Sequence, residues 1–166
     1  LRTIAALSPA QAVTTRDFVL DKSADPCTGT KWLINGLGWE TISEMPKLGT
    51  SEIWRFINTS GAMHPMHMHL VFFQVLDRQP FDLVSGAVVP IGSPVAPSAS
   101  EGGWKDTVQV GAKEIVRVIA RFEDYVGKYP YHCHILEHED HEMMRQFQTT
   151  TTCGDGAKGE PEEECD

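Results

Sequence analysis

The chain has 166 residues, 41% of them hydrophobic, and a formal net charge of −9. That length fits one domain with a sizeable core, and no apolar run approaches the ~20 residues a membrane span needs. The acidic balance argues against nucleic acid or an anionic membrane surface as a partner.

Residues 1–13 lack the charged start and the apolar run of about 7–15 residues of a secretory signal, and the chain opens on Leu1, so either a removed signal or, in preference, a piece of a longer protein is expected. Residues 1–11 have no period and read as linker. Phe18 and Leu20 alternate with polar neighbours, which predicts a strand over 15–21. Asp25-Pro26-Cys27-Thr28-Gly29 reads as a turn before a short strand over 31–35. Residues 51–58 have strong β composition. In 68–77 the run Leu70-Val71-Phe72-Phe73-Gln74-Val75-Leu76 is apolar on both faces, predicting a strand central in its sheet. From 80 to 103 a long loop is expected, because Pro90, Pro94 and Pro97 deny a ladder; such loops in compact domains are often functional. Strands over 107–110, 113–122 and 128–132 follow, then a helical turn near 135–141 and a closing strand over 145–150. About eight short strands with turn signals between them predict an all-β sandwich or small Greek-key barrel. Between 155 and 166 six carboxylates stand against Lys158 alone, so 153–166 is expected to be a solvated, flexible acidic tail behind a folded unit over 1–152.

The chemistry is concentrated. All seven histidines fall in two windows, 64–69 and 132–141. Cys133 lies between His132 and His134, with His138 and then Met143 at successive intervals of five residues. A thiolate, two imidazoles (His138 and one from the upstream window) and a weak thioether form the ligand set of a blue-copper electron-transfer site. Zinc would call for cysteine pairs or a His/Cys quartet at tighter spacing. Met143 is preferred to Met144 by spacing alone, and Met63, Met66 and Met68 read as packing. His132 and His134, two apart on an extended segment, point to the face opposite Cys133, and His67 and His69 likewise share a face. That arrangement sets one metal in front of the cysteine and more metal behind it. A simple blue-copper carrier has no use for His67, His69, His132 or His134. His141 lies outside the pattern and is expected to face solvent.

These residues resemble the carboxy-terminal cupredoxin domain of the multicopper oxidases, whose copper motifs read His-x-x-His-x-His and His-Cys-His-x-x-x-His-x-x-x-x-Met. Both are complete here. Further likeness over 15–148 rests on Thr50-Ser51-Glu52-Ile53-Trp54, Val75-Leu76-Asp77-Arg78-Gln79-Pro80-Phe81-Asp82, Gly103-Trp104-Lys105-Asp106-Thr107 and Glu137-His138-Glu139-Asp140, nearest to the branch of spore-coat laccase, phenoxazinone synthase and bilirubin oxidase. The resemblance implies a cupredoxin-like Greek-key β-sandwich and a laccase-like, copper-dependent oxidation of small phenolic or aminophenolic donors by dioxygen. It implies type 1 copper on His64, Cys133, His138 and Met143, type 2 copper on His67, and the type 3 pair on His69, His132 and His134. Glu139 matches an acid that helps deliver protons to oxygen, and the ring edge of His138 would receive the electron beneath the 80–103 loop.

The family's trinuclear cluster needs eight histidines, and this chain supplies four. Type 2 and type 3 copper are therefore expected to be shared with an amino-terminal cupredoxin domain, on the same or a separate chain. Rivals are a stand-alone blue-copper electron carrier, a copper nitrite reductase (opposed by His134) and a cuprous-ion oxidase (opposed by a 80–103 segment without methionine). With Cys133 committed, Cys27, Cys153 and Cys165 remain. One disulfide, Cys153–Cys165 being nearest in sequence, would fit an oxidising compartment. The tail resembles the start of a cysteine-rich surface-protein repeat, so an extracellular, periplasmic or cell-surface location is expected.

Overall fold

A computed structural model of the chain describes residues 4–27 and 29–151; the acidic tail with Cys153 and Cys165 lies outside the described residues. The fold is a cupredoxin-like sandwich of two sheets. The first runs β2 (Gly29–Ile34), β1 (Ala12–Asp25), β4 (Thr50–Asn58), β10 (Glu114–Phe122), β6 (Phe73–Val84) and β7 (Ala87–Pro90), with β8 (Trp104–Lys105) also beside β6. The second runs β3 (Ile42–Glu44), β12 (Met144–Thr149), β11 (Gly127–Cys133), β5 (His64–Met68) and β9 (Thr107–Val110). Pairings are antiparallel except β1 with β4 and β3 with β12.

The sheets close on side chains from both: Phe18, Trp54, Phe56, Val118 and Phe122 from one, Met66, Met68, Val108, Tyr131, Cys133 and Phe147 from the other. Phe18 lies 4.3 Å from Trp54 and 5.3 Å from Tyr131, ring to ring, and Trp54 meets Phe147 edge-on at 5.6 Å. Each fully buried side chain of this kind contributes ~2–3 kcal/mol by transfer from water. Polar side-chain atoms carried into this interior have partners, Arg145 Nε being the exception among the described residues, as the cost of desolvation requires. Trp54 Nε1 donates to Glu52 at 2.9 Å, and Arg16 grips the same carboxylate at 2.7 and 2.8 Å. Arg145, wholly buried, reaches Glu44 at 3.2 Å, and Tyr131 Oη donates to Glu44 at 3.0 Å.

The expected strands over 15–21, 31–35, 51–58, 107–110, 113–122, 128–132 and 145–150 each form, with 31–35, 113–122 and 145–150 overrunning their elements by one residue. Two expectations change. The strand expected over 68–77 is two strands: β5 ends at Met68, Leu70 adopts a positive φ of 70°, and β6 begins at Phe73. The loop expected over 80–103 is partly a hairpin, because β6 continues to Val84 and turns at Ser85-Gly86, both at positive φ (51° and 82°), into β7. Two successive residues at positive φ match the right-handed twist of the flanking strands. The prolines do not prevent this: Pro80 pairs with Glu114, the first residue of β10, and Pro90 ends an edge strand, the positions where a missing N–H is tolerated. β3, only three residues long, is a strand the sequence does not announce.

Candidate metal centre

β5 and β11 are neighbours in the second sheet, with His67 opposite His132 and Met66 opposite Cys133. Side chains alternate faces along a strand, so the spacing of the motifs sorts them. On β5, His64, Met66 and Met68 are buried while His67 is half-exposed. On β11, Tyr131 and Cys133 face the core, and His132 points to the other side together with His134 just beyond the strand end. An odd step from His64 to His67 changes face, and an even step from His67 to His69 keeps it. Two groups result, back to back.

The inner group is His64, Cys133 and His138. Cys133 Sγ lies 3.5 Å from His64 Nδ1 and 3.6 Å from His138 Nδ1, and the two nitrogens are 3.1 Å apart. A point equidistant from the three atoms lies about 2 Å from each, a length suited to a bond from nitrogen or sulfur to a first-row metal. His64 and Cys133 are fully buried and His138 is 9% exposed. The helix α1 (Leu136–Asp140) presents His138, and the loop around it is tied by its backbone: Cys133 N donates to Met143 O at 3.0 Å and Met143 N to His138 O at 2.9 Å. Met143 is fully buried in the same cluster as Cys133.

The donor set fits a metal on electronic grounds also. Ser60 Oγ lies 2.8 Å from Asn58 Oδ1, which can only accept, so the hydroxyl proton goes there and Ser60 accepts from His64 Nε2 at 2.7 Å. Asn58 is oriented by its amide, which donates to Ala62 O at 2.7 Å and Val110 O at 3.0 Å. His64 therefore carries its proton on Nε2 and turns a lone pair toward Cys133. Burial, then the neighbouring His138, lowers the His64 pKa to about 4, and burial lowers that of His138; both rings are neutral donors at pH 7. Burial pushes the Cys133 thiol up to about 11. Two lone pairs and a thiol held this closely call for a cation at their centre, which would also draw off the thiol proton.

The outer group is His67, His69 and His132, whose ring nitrogens gather within 4.8 Å of one another, with His134 alongside at 5.6 Å from His67 and 5.5 Å from His132 between ring centres. Two of these tautomers are set by hydrogen bonds. His67 Nδ1 donates to Asp106 O at 2.9 Å, and His132 Nδ1 donates to Cys133 O at 3.1 Å with Glu139 Oε2 at 3.3 Å. Both Nε2 atoms are left as acceptors, and His132 Nε2 stands 3.3 Å from His69 Nε2. Burial is the largest cause lowering the pKa of His67 and of His69. His69 and His134 are exposed, and a cavity of about 210 Å³ opens beside His67 and His69. All seven sequence-derived histidine and cysteine ligands thus fall into these two groups. His141 joins neither; it is half-buried rather than solvent-facing, and its carbonyl accepts from Trp32 N at 3.0 Å.

The Multicopper oxidase family profile matches residues 10–152. This chain belongs to the multicopper oxidase family. It is 50% identical over 123 residues to a laccase of Bacillus subtilis, covering 71% of this chain and 24% of that protein. It is 39% identical over 129 residues to the bilirubin oxidase of Albifimbria verrucaria, covering 74% and 21%. Among solved structures, a multi-copper oxidase from Pediococcus acidilactici superposes with a TM-score of 0.73 at 29% identity, covering 95% of this chain and 30% of the other. The McoA multicopper oxidase of Aquifex aeolicus gives 0.71 at 28%, covering 90% and 32%. The chain therefore spans about a quarter of the length of these curated relatives. Copper is the metal the family implies, and the buried His-Cys-His group suits it.

Sequence reasoning missed two groups at this centre. Ser60 and Asn58, which set the His64 tautomer, carry no spacing signal. Trp32, whose ring lies 4.0 Å from that of His138, reads in the sequence as one more residue of a short strand.

Proposed function

We propose that this chain is the carboxy-terminal cupredoxin domain, over residues 1–152, of a laccase-like multicopper oxidase. His64, Cys133, His138 and Met143 would hold type 1 copper; His67 would serve type 2 copper, and His69, His132 and His134 the type 3 pair, completed by four histidines from amino-terminal cupredoxin domains. Copper so bound supplies one-electron redox chemistry and, in the completed cluster, the four-electron reduction of dioxygen to water. The observation that carries this reading is the back-to-back placement of the two groups across a single residue. Cys133 is peptide-bonded to both His132 and His134, and its carbonyl also accepts from His132 Nδ1 at 3.1 Å, so a short covalent and hydrogen-bonded route joins inner and outer groups. A carrier with one copper would need only the inner group. Glu139, 22% exposed on its side chain and 3.3 Å from His132, stands where an acid could hold and pass on the protons that oxygen reduction consumes. The electron would enter through His138, and the buried Ser60-Asn58 pair keeps His64 in the ligating tautomer.

Copper titration of the chain tests this. One tightly held copper per chain with an intense thiolate absorption band is expected. Cys133→Ser should abolish the band, and oxygen consumption with a phenolic donor should appear only when the four missing histidines are supplied by the amino-terminal domains. Oxidase turnover that survives Cys133→Ser in the assembled protein would refute the route.

A further inference from the structure

We infer that Trp32 is the residue against which the electron donor docks, and that it selects donors with a planar aromatic face. The inference rests on the inner group being the copper centre that accepts electrons. His138 is 9% exposed, because the Trp32 indole lies over it with ring centres 4.0 Å apart and planes 31° from parallel. The same indole meets His64 edge-on at 5.3 Å. It thus touches both imidazoles of the inner group while remaining half-exposed itself. An aromatic donor reaching this side of the centre meets the part of the indole that His138 leaves uncovered.

The indole is held there by more than its own contact. Trp32 N donates to His141 O at 3.0 Å, and Lys31 pairs with Glu142 at 3.5 Å, so β2 is strapped across the loop that carries His138 and Met143. Lys22, its register partner on β1, sets its ammonium 5.8 Å from the indole centre, a cation–π contact. Trp32 is half-exposed and Lys22 is an exposed side chain, so the part of the indole that His138 does not cover is reached from solvent past Lys22. A fixed aromatic platform favours ring donors by stacking, worth about 3- to 10-fold for an aromatic pair. A compact inorganic donor gains nothing from it. In each encounter the donor gives up one electron, and a phenol also releases one proton to water, while the centre gains the electron.

The test uses the copper-loaded chain, Trp32→Phe and Trp32→Leu. It follows bleaching of the thiolate band by hydroquinone and by hexacyanoferrate(II), together with the reduction potential of each protein. A shifted potential acts on both donors, so the ratio of the two rates isolates the contact. The ratio should fall about 3- to 10-fold in Trp32→Leu and stay within about twofold of the parent in Trp32→Phe. An unchanged ratio in Trp32→Leu, with the band intact, overturns the docking role and leaves Trp32 as a cover. A parent chain with no thiolate band overturns the copper reading itself, and this inference with it. Should Trp32→Leu fail to fold, the diamagnetic copper(I) form of the parent decides. A non-oxidisable ring such as 1,4-dimethoxybenzene should shift the Trp32 indole signal, assigned by its loss in Trp32→Phe, and a still signal refutes the contact.

Discussion

Ser60→Ala isolates the tautomer argument. In the parent, His64 is fully buried and its Nε2–H is accepted by Ser60 Oγ at 2.7 Å. Removing that oxygen offers His64 two poor choices. It can keep the ligating tautomer with a buried donor unpaired, at about 1–3 kcal/mol. Otherwise its proton moves to Nδ1, which blocks the lone pair facing Cys133. Either way the loss falls on copper binding more than on the metal-free fold, since the metal-free chain is free to take the second route. At about 1.4 kcal/mol per tenfold, copper affinity should drop about 5- to 150-fold, in line with the ~10–100-fold typical of groups that orient a metal-bound histidine. The assay is chelator competition read at the thiolate band. Asn58→Leu should weaken binding less, because it frees the Ser60 proton without removing the oxygen. Ser60→Ala with parental affinity and an unchanged band would refute His64 Nδ1 as a ligand held by this network.

Other outcomes follow from the buried charges. Arg145→Met leaves Glu44 buried without its cation; it should destabilise the chain by about 3–5 kcal/mol, measured by urea unfolding. His64 has a folded pKa of about 4 against an ordinary 6.5, so between those values the unfolded chain binds a proton the folded chain refuses. The stability of the metal-free chain should therefore rise with pH through this window and decline as pH falls from 6.5 toward 4, by up to about 3 kcal/mol. Urea midpoints at pH 4.5 and 7 check this, and His64→Gln should flatten the difference.

The candidate site was more legible in the sequence than the strands that carry it. Ligand type and parity need only the period of a strand, and both survive errors of a few residues in its ends. His132 and His134 therefore fall on one face and Cys133 on the other, although no bounds are read for the strand carrying His64. The expected strands resume only at Met68, so β5 with its Pro65 is not among them. The β11 pairing stops at Met66, and His134 N donates to Pro65 O at 2.8 Å, so Pro65 stands at the margin of that ladder. The Ser85-Gly86 hairpin was masked by the prolines around it. Ser60 and Trp32 could not be found from spacing, because their partners are distant in sequence or set by orientation: Trp32 meets His138 only after β2 has folded across the loop from the other sheet. Contacts of that kind are written in tertiary geometry.

That geometry also explains why the inner and outer groups need no separate scaffold. Slipping β11 by one residue against β5 would exchange the faces of His132 and Cys133 and, with them, of every neighbour on the strand. Such a slip would expose Tyr131, which is fully buried against Trp54 and Phe18 and bonded to Glu44. The same packing that makes the slip costly fixes which ring reaches which group. His64, delivered by β5, and Cys133, delivered by β11, are thus brought together by core burial before any metal arrives. Of the inner three, His138 comes from outside the sheets, on a five-residue helix stapled by the Cys133–Met143 and Met143–His138 backbone bonds. The inner group is thus preorganised on both counts, two members by the packing of the sheets and the third by the backbone bonds of its loop.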